Sequence, residues 1–243
     1  MAHAERAEGR PPLSCGSRIV TGQAKLVFLH LPKTGGTSLI ESMRATTPPG
    51  TKAPHYQKGG GSLVADPWAL SPATVEAFRD ADQPVVAGHF RYEEWMRGRL
   101  RLLSTVVRHS VYRVYSLYRD VVRNPKKQLH ELALEGLAAF VEADTPEVSN
   151  HQCWILSGKE GLDPFAVLRS FSIVGTTENL QWTWARMSRV LRRPCTEVEH
   201  VNQGVSGVAT EQLTGPIIQR IRERNEDDLR LYSLARKLER LSW

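Results

Sequence analysis

Residues 25–40 constrain the fold most strongly, because an apolar run breaks into a short loop and then resumes with helical spacing. This pattern predicts a β-strand, a phosphate-binding loop and an α-helix in succession. Gly35 and Gly36 allow the backbone to turn its N–H groups inward, and the next helix directs the positive end of its dipole at the same point. We therefore expect an anion to bind at this loop.

Polar side chains in the loop supply further donors for such an anion. Lys33 adds a full positive charge, and three hydroxyl groups lie beside the glycines, those of Thr34, Thr37 and Ser38. A strand-to-helix turn with purely structural glycines is the alternative, but it leaves the lysine and the hydroxyls unexplained. The candidate phosphate ligands are thus Lys33, Thr34, Gly35, Gly36, Thr37 and Ser38.

The loop differs from the Walker A motif of ordinary P-loop kinases and NTPases. In that motif the lysine follows the last glycine, whereas Lys33 precedes both glycines. Those enzymes also place a carboxylate at the end of a second strand to hold magnesium. Here the apolar runs 84–87 and 102–107 lead to His89 and Arg108 instead. We expect an anionic nucleotide to be handled without a metal, beside a base and an arginine.

These segments resemble the sulfotransferases that use 3′-phosphoadenosine 5′-phosphosulfate (PAPS), in the branch of carbohydrate 2-O- and 6-O-sulfotransferases and their bacterial relatives. Residues 30–38 are similar to the 5′-phosphosulfate loop of that branch, and residues 105–119 are similar to its 3′-phosphate segment. The resemblance implies that Arg108 and Ser116 hold the 3′-phosphate. Family members usually carry Asp-Pro after this arginine, whereas this chain has His-Ser at 109–110.

The resemblance implies transfer of a sulfuryl group from PAPS to a hydroxyl of a carbohydrate or small-molecule acceptor. We expect His89 to act as the base, because the ordinary histidine pKa of about 6.5 lies near working pH, and Lys33 to stabilise the leaving phosphate. His30 is a second candidate base, but its place in an apolar run favours packing. A P-loop kinase or NTPase, a non-catalytic phosphonucleotide-binding protein and a polyanion-binding protein remain alternative hypotheses.

The alternation of short apolar runs with helical segments predicts an α/β fold, a P-loop-type three-layer sandwich with a mostly parallel central sheet. A chain of 243 residues suits one domain. We expect a single sulfotransferase domain at 25–243, preceded by a flexible tail at 1–24. If the three strands before Lys33, His89 and Arg108 are neighbours, these residues meet at one rim of the sheet.

Other segments carry predictions of local structure. Residues 51–72 are predicted to form a loop, either a linker or a cover over the active site, in which His55 and Lys58 are candidates to contact an anionic acceptor. Helices are predicted over 145–158 and 211–241, the former from a capping threonine followed by proline.

Composition limits the function classes further. The net charge of +6 favours an anionic cofactor or acceptor, while the absence of an interleaved aromatic and basic platform argues against nucleic acid. The three cysteines have no metal-ligand spacing, which predicts a reduced chain and no metal. No apolar stretch approaches the roughly 20 residues of a membrane span. We expect a cytoplasmic enzyme of bacterial type; an enzyme separated from its membrane anchor is the alternative.

Overall fold

A parallel β-sheet forms the centre of the computed structural model, which describes residues 25–58, 68–98, 100–199 and 213–241. Within these ranges the sheet has five strands in the order β2-β3-β1-β4-β5, all parallel. The strands are β1 Lys25–Leu29, β2 His55–Gln57, β3 Val85–Gly88, β4 Arg101–Val107 and β5 Ile173–Thr176. The predicted tail at 1–24 lies outside the described residues.

Helices cover both faces of the sheet. They are α1 Gly36–Ala45, α2 Pro72–Arg79, α3 Ser110–Val122, α4 His130–Leu134, α5 Leu137–Val141, α6 His151–Leu156, α7 Pro164–Arg169, α8 Leu180–Leu191, α9 Gly215–Arg224 and α10 Glu226–Leu241. Short 3₁₀ turns occur at Glu94–Met96 and Thr177–Asn179. Within the described residues, no helix is both long and apolar enough to cross a membrane.

Alternation of side chains along β1 divides the core into two layers. Val27 and Leu29 pack with α2, α6, α7 and α10 on one face, whereas Leu26 and Phe28 pack with α1 and α8 on the other. All four side chains are at most 2% exposed, as expected for a parallel strand that is covered on both faces. The predicted three-layer α/β sandwich is therefore confirmed.

A third cluster of apolar side chains lies among the helices. Val111, Val114 and Tyr118 of α3 pack against Phe140 of α5 and Ile221 of α9. This packing fixes the orientation of α3, the helix that directly follows β4 and Arg108.

Two predicted helices are shorter than their patterns suggested. The segment 145–158 is helical from His151 to Leu156, because Asn150 adopts a left-handed conformation with φ = 47°. The segment 211–241, of which the structure describes residues from 213 onward, is divided at Asn225 into α9 and α10. The Asn225 side chain donates to the carbonyls of Val148 and Ile221, so its amide competes with regular helical hydrogen bonding.

The predicted loop at 51–72 also needs correction, since it contains strand β2 at the edge of the sheet. His55 lies in this strand, and its Nε2 atom is 3.0 Å from the Thr74 hydroxyl of α2. This contact gives His55 a structural partner within the sheet edge. Residues 59–67 of the segment lie outside the described residues.

Candidate functional site

The carboxyl ends of three neighbouring strands bring the main candidate residues to one rim of the sheet. Strand β1 lies between β3 and β4, with Leu29 in register with both Gly88 and Thr105. Lys33 follows β1, His89 follows β3 and Arg108 follows β4. The condition stated from the sequence, that these three strands be neighbours, is met, and this is the edge at which parallel α/β sheets bind ligands.

The loop after β1 turns tightly before α1 begins. Lys33 has φ = 67° and Gly35 has φ = 85°, so two left-handed residues lie within three positions. Arg108 stabilises this turn, since its Nη1 atom donates to the Lys33 carbonyl at 3.0 Å. At the start of α1 the Ser38 N–H donates to the Gly35 carbonyl at 3.1 Å, whereas the N–H groups before it precede the first carbonyl that the helix can offer them. They and the helix dipole make the loop suitable for an anion.

Close packing explains both glycines. A Cβ atom at Gly36 would lie 2.2 Å from Cδ2 and 2.5 Å from Nε2 of His30, and one at Gly35 would lie 2.8 Å from Cδ1 of Leu180. Contacts this short cannot form without displacement of the neighbouring side chain. The glycines therefore fit the loop against His30, which follows β1, and against Leu180 of α8, in addition to allowing its backbone to turn.

The three hydroxyl groups of the loop differ in their surroundings. The Thr34 hydroxyl donates to the Leu31 carbonyl at 2.8 Å, and its side chain is fully buried. The Thr34 hydroxyl is thus engaged by a carbonyl of the protein in this structure, and its donation to a phosphate stays a prediction; Thr34 can also offer an anion its backbone N–H. Thr37 is half-buried, and Ser38 is 5% exposed in the first turn of α1.

His89 is held in a defined orientation and tautomer. Its Nδ1 atom is 2.7 Å from the His30 carbonyl oxygen, and since a carbonyl only accepts, Nδ1 must carry the proton. The Nε2 atom therefore bears the lone pair, as a general base requires. Burial, together with the positive charges of Lys127 and Lys33, lowers the pKa of His89 to about 4, although the bond to His30 opposes this effect.

His30 is a packed residue, as the apolar run around it indicated. It is 3% exposed, its Nδ1 atom is 2.9 Å from the Tyr56 hydroxyl, and its ring stacks on His89 with 4.2 Å between centroids. Burial lowers its pKa well below the ordinary value. His30 thus supports both Gly36 of the loop and His89.

Asp120, which sequence reasoning missed, binds two lysines at this rim. Its Oδ2 atom lies 3.1 Å from Lys33 Nζ and 2.6 Å from Lys127 Nζ. Burial lowers the pKa of Lys33, and Asp120 opposes that effect. Ser116 lies four residues before Asp120 on α3, so the two share a face of the helix and Ser116 is directed toward the same side. This spacing was the available signal for Asp120.

The backbone of Arg108 is held by a buried glutamine of α6, Gln152. The Gln152 side chain accepts from the Arg108 backbone N–H at 2.9 Å and donates to the Arg108 carbonyl at 2.9 Å. Gln152 is fully buried and also binds Asp228 of α10. It therefore positions the end of β4.

Comparisons with known proteins add no family assignment, since no protein-family model matches the chain and no curated protein matches it. The described residues contain no group of three or more histidine, cysteine, aspartate or glutamate side chains arranged to hold a metal ion. The groups that the site offers a ligand are two lysines, an arginine, a helix N-terminus and a neutral histidine.

Proposed function

We propose that this protein is a sulfotransferase that uses PAPS and transfers its sulfuryl group to a hydroxyl of a carbohydrate or small-molecule acceptor. The observation that carries the proposal is the meeting of Lys33, His89 and Arg108 at the ends of three adjacent strands. The resemblance of residues 30–38 and 105–119 to the two phosphate-binding segments of that family supplies the donor's identity.

The residues at the rim fit a nucleotide with phosphate groups at both ends of its ribose. Lys33, the N–H groups of residues 34–37 and Ser38 would hold the 5′-phosphosulfate, while Arg108 and Ser116 would hold the 3′-phosphate. When bound, PAPS supplies the activated sulfuryl group. Lys33 then stabilises the negative charge that develops on the leaving phosphate, a contribution that preorganised donors make at about 3–4 kcal/mol each.

His89 has the proton-accepting role in this proposal. Its Nε2 lone pair would take the proton of the acceptor hydroxyl, and its bond to the His30 carbonyl keeps the ring oriented. A pKa of about 4 makes it a weak base in the ligand-free protein. The phosphates of a bound nucleotide would offset the charges of Lys33 and Lys127, so ligand binding would raise the pKa of His89 toward the working pH.

A P-loop kinase or NTPase is the second candidate, because a carboxylate does lie beside the loop lysine. Asp120, however, lies on helix α3 and binds two ammonium groups. An aspartate with these partners has much of its charge offset, which makes it a poor ligand for magnesium. The geometry therefore favours the sulfotransferase proposal.

Calorimetry distinguishes the two functions. The bisphosphate 3′-phosphoadenosine 5′-phosphate (PAP) and ATP would each be titrated into the full chain in the presence of EDTA, and ATP again with magnesium. We expect PAP to bind more tightly than ATP and to be unaffected by the chelator. A preference for magnesium-ATP would contradict the proposal and favour the kinase.

Arg108→Ala tests the assigned 3′-phosphate contact. We expect a loss of about 10- to 100-fold in PAP affinity, the value of one or two charge-assisted hydrogen bonds. ADP, which has no 3′-phosphate, is the matched ligand: it should lose only the affinity that the loop loses with the Arg108–Lys33 bond, and that loss should be clearly smaller than the loss for PAP. An equal loss for both nucleotides would refute the assignment.

His89→Ala tests the base. PAP affinity should change by less than about twofold, whereas formation of sulfated product, followed by mass spectrometry over a panel of acceptors, should fall by about 10²–10⁴-fold. His55→Ala is the matched histidine variant, and it should retain turnover because His55 binds Thr74 at the sheet edge. Full turnover in the His89 variant would place the base elsewhere.

A further inference from the structure

The lysines of the site are already engaged by a negative charge of the protein itself. Asp120 accepts from Lys33 at 3.1 Å and from Lys127 at 2.6 Å through the same oxygen, Oδ2. The Asp120 and Lys33 side chains are 34% and 25% exposed, so this cluster lies at the mouth of the site and is partly in contact with solvent. A carboxylate in this place competes with any anion that approaches Lys33.

Lys127 belongs to the same electrostatic unit. It lies between α3 and α4, and its charge lowers the pKa of His89 more than that of Lys33 does. Both lysines thus act electrostatically on His89 and bind the carboxylate of Asp120 directly. One aspartate between two lysines leaves a net charge of +1, which is enough to attract an anion.

We propose that Asp120 is an internal counter-anion. It binds both Lys33 and Lys127 in the ligand-free protein, and it stays bound to Lys127 alone when Lys33 turns to an anionic ligand. The shorter contact to Lys127 favours this division, because the carboxylate keeps a charged partner after Lys33 has turned away. The exchange makes Asp120 a positioning residue that weakens binding of the anion. The choice of nucleotide as the anion rests on the proposed function, while the pairing with Lys33 does not.

The first experiment needs no ligand. Lys33 faces the carboxylate of Asp120 and the positive charges of Lys127 and Arg108. Removing Asp120 leaves burial and these like charges unopposed, so the pKa of Lys33 should fall and its amine should react faster. Competitive acetylation at pH 8, analysed by peptide mass spectrometry with exposed Lys159 as internal reference, should show Lys33 several-fold more reactive in Asp120→Asn.

The second experiment measures the competition directly with PAP. In Asp120→Asn the bisphosphate should bind about tenfold more tightly, since a unit negative charge has been removed beside the lysine that receives it. Asp120→Glu keeps the charge and should bind PAP as the wild type does. Asp80→Asn is the charge-matched control. Asp80 pairs with Lys52 near the start of β3, at the opposite end of the sheet.

The outcomes separate this inference from the proposed function. Faster acetylation of Lys33 and tighter PAP binding in Asp120→Asn alone would support the counter-anion. Unchanged acetylation of Lys33 in Asp120→Asn would overturn it. Weaker PAP binding in Asp120→Asn, with recovery in Asp120→Glu, would also overturn it and show that Asp120 orients Lys33 for binding. If the wild type binds no PAP, the proposed function fails, and the acetylation rates still decide whether Asp120 holds Lys33.

Discussion

Replacing Gly36 with alanine should destabilise the protein through a single defined collision. The added methyl carbon would lie 2.2 Å from His30 Cδ2, whereas ordinary contact begins near 3.4 Å, so the ring must retreat by about 1.2 Å. The ring has little room, because Phe28 and His89 stack against it and Tyr56 binds its Nδ1 atom. Strain is therefore expected in the ring, the loop backbone or both.

The expected cost follows from measured effects of overpacking. Extra methylene groups in a filled core cost about 1–3 kcal/mol, and the higher helix propensity of alanine recovers less than about 1 kcal/mol at the first position of α1. We expect a net loss of about 2 kcal/mol in the free energy of unfolding. For a chain of this size that loss corresponds to a fall in Tm of roughly 4–8 °C.

Urea denaturation of the wild type and Gly36→Ala gives the loss directly. Gly215→Ala is the matched control, because Gly215 begins α9 and a Cβ atom there meets nothing within 4 Å. The double variant His30→Ala/Gly36→Ala should lose less than the sum of the single variants, since removal of the ring removes the collision. A Gly36→Ala variant within about 0.5 kcal/mol of the wild type would refute the argument.

Two further predictions follow from buried polar groups. Burial lowers the pKa of three histidines, His30, His89 and His151. Because the unfolded chain then binds more protons, the free energy of unfolding should be highest above pH 6.5 and should fall as the pH drops toward the folded pKa of His89, about 4. Urea denaturation at pH 7.5 and 5 measures this, and equal stability at both would contradict it. Gln152→Leu removes both side-chain bonds to the Arg108 backbone and should cost about 2–4 kcal/mol in the same assay; a loss below about 0.5 kcal/mol would show that these bonds contribute little.

The regular elements around the site could be predicted because their signals are local. Apolar runs before Lys33, His89 and Arg108 identified three strands, and the glycines after β1 identified the turn into α1. Which strands lie side by side depends on how the whole chain packs. The sequence therefore predicted that Lys33, His89 and Arg108 meet only if their strands are neighbours. The paired positions Leu29 and Thr105 are 76 residues apart, and no local pattern determines that register.

The pairing of Lys33 with Asp120 illustrates a different limit. The two residues are 87 positions apart, and apart from its spacing from Ser116, Asp120 between Arg119 and Val121 resembles an ordinary solvated charge on α3. Only the packing of α3 against α5 and α9 turns that face of the helix toward the loop. The electrostatics of the site thus depend on apolar contacts that contain no site residue. For this reason the motifs at the strand ends identified Lys33 and Arg108, but not the carboxylate that pairs with Lys33.

The C-terminal helix α10 takes part in positioning the site, although the sequence predicted only a helix there. Asp228 accepts from the Gln152 backbone N–H and side chain at 3.1 and 3.3 Å, and it lies 3.9 Å from Arg113 Nε of α3. Asp228 and Arg113 are fully buried, so loss of either partner would leave an uncompensated charge at a cost of about 3–5 kcal/mol. Gln152 in turn holds the Arg108 backbone. A substitution of Asp228 should therefore displace Gln152 and, through it, Arg108. The geometry of the proposed 3′-phosphate site is therefore set jointly by the end of β4 and by a carboxylate more than 100 residues downstream.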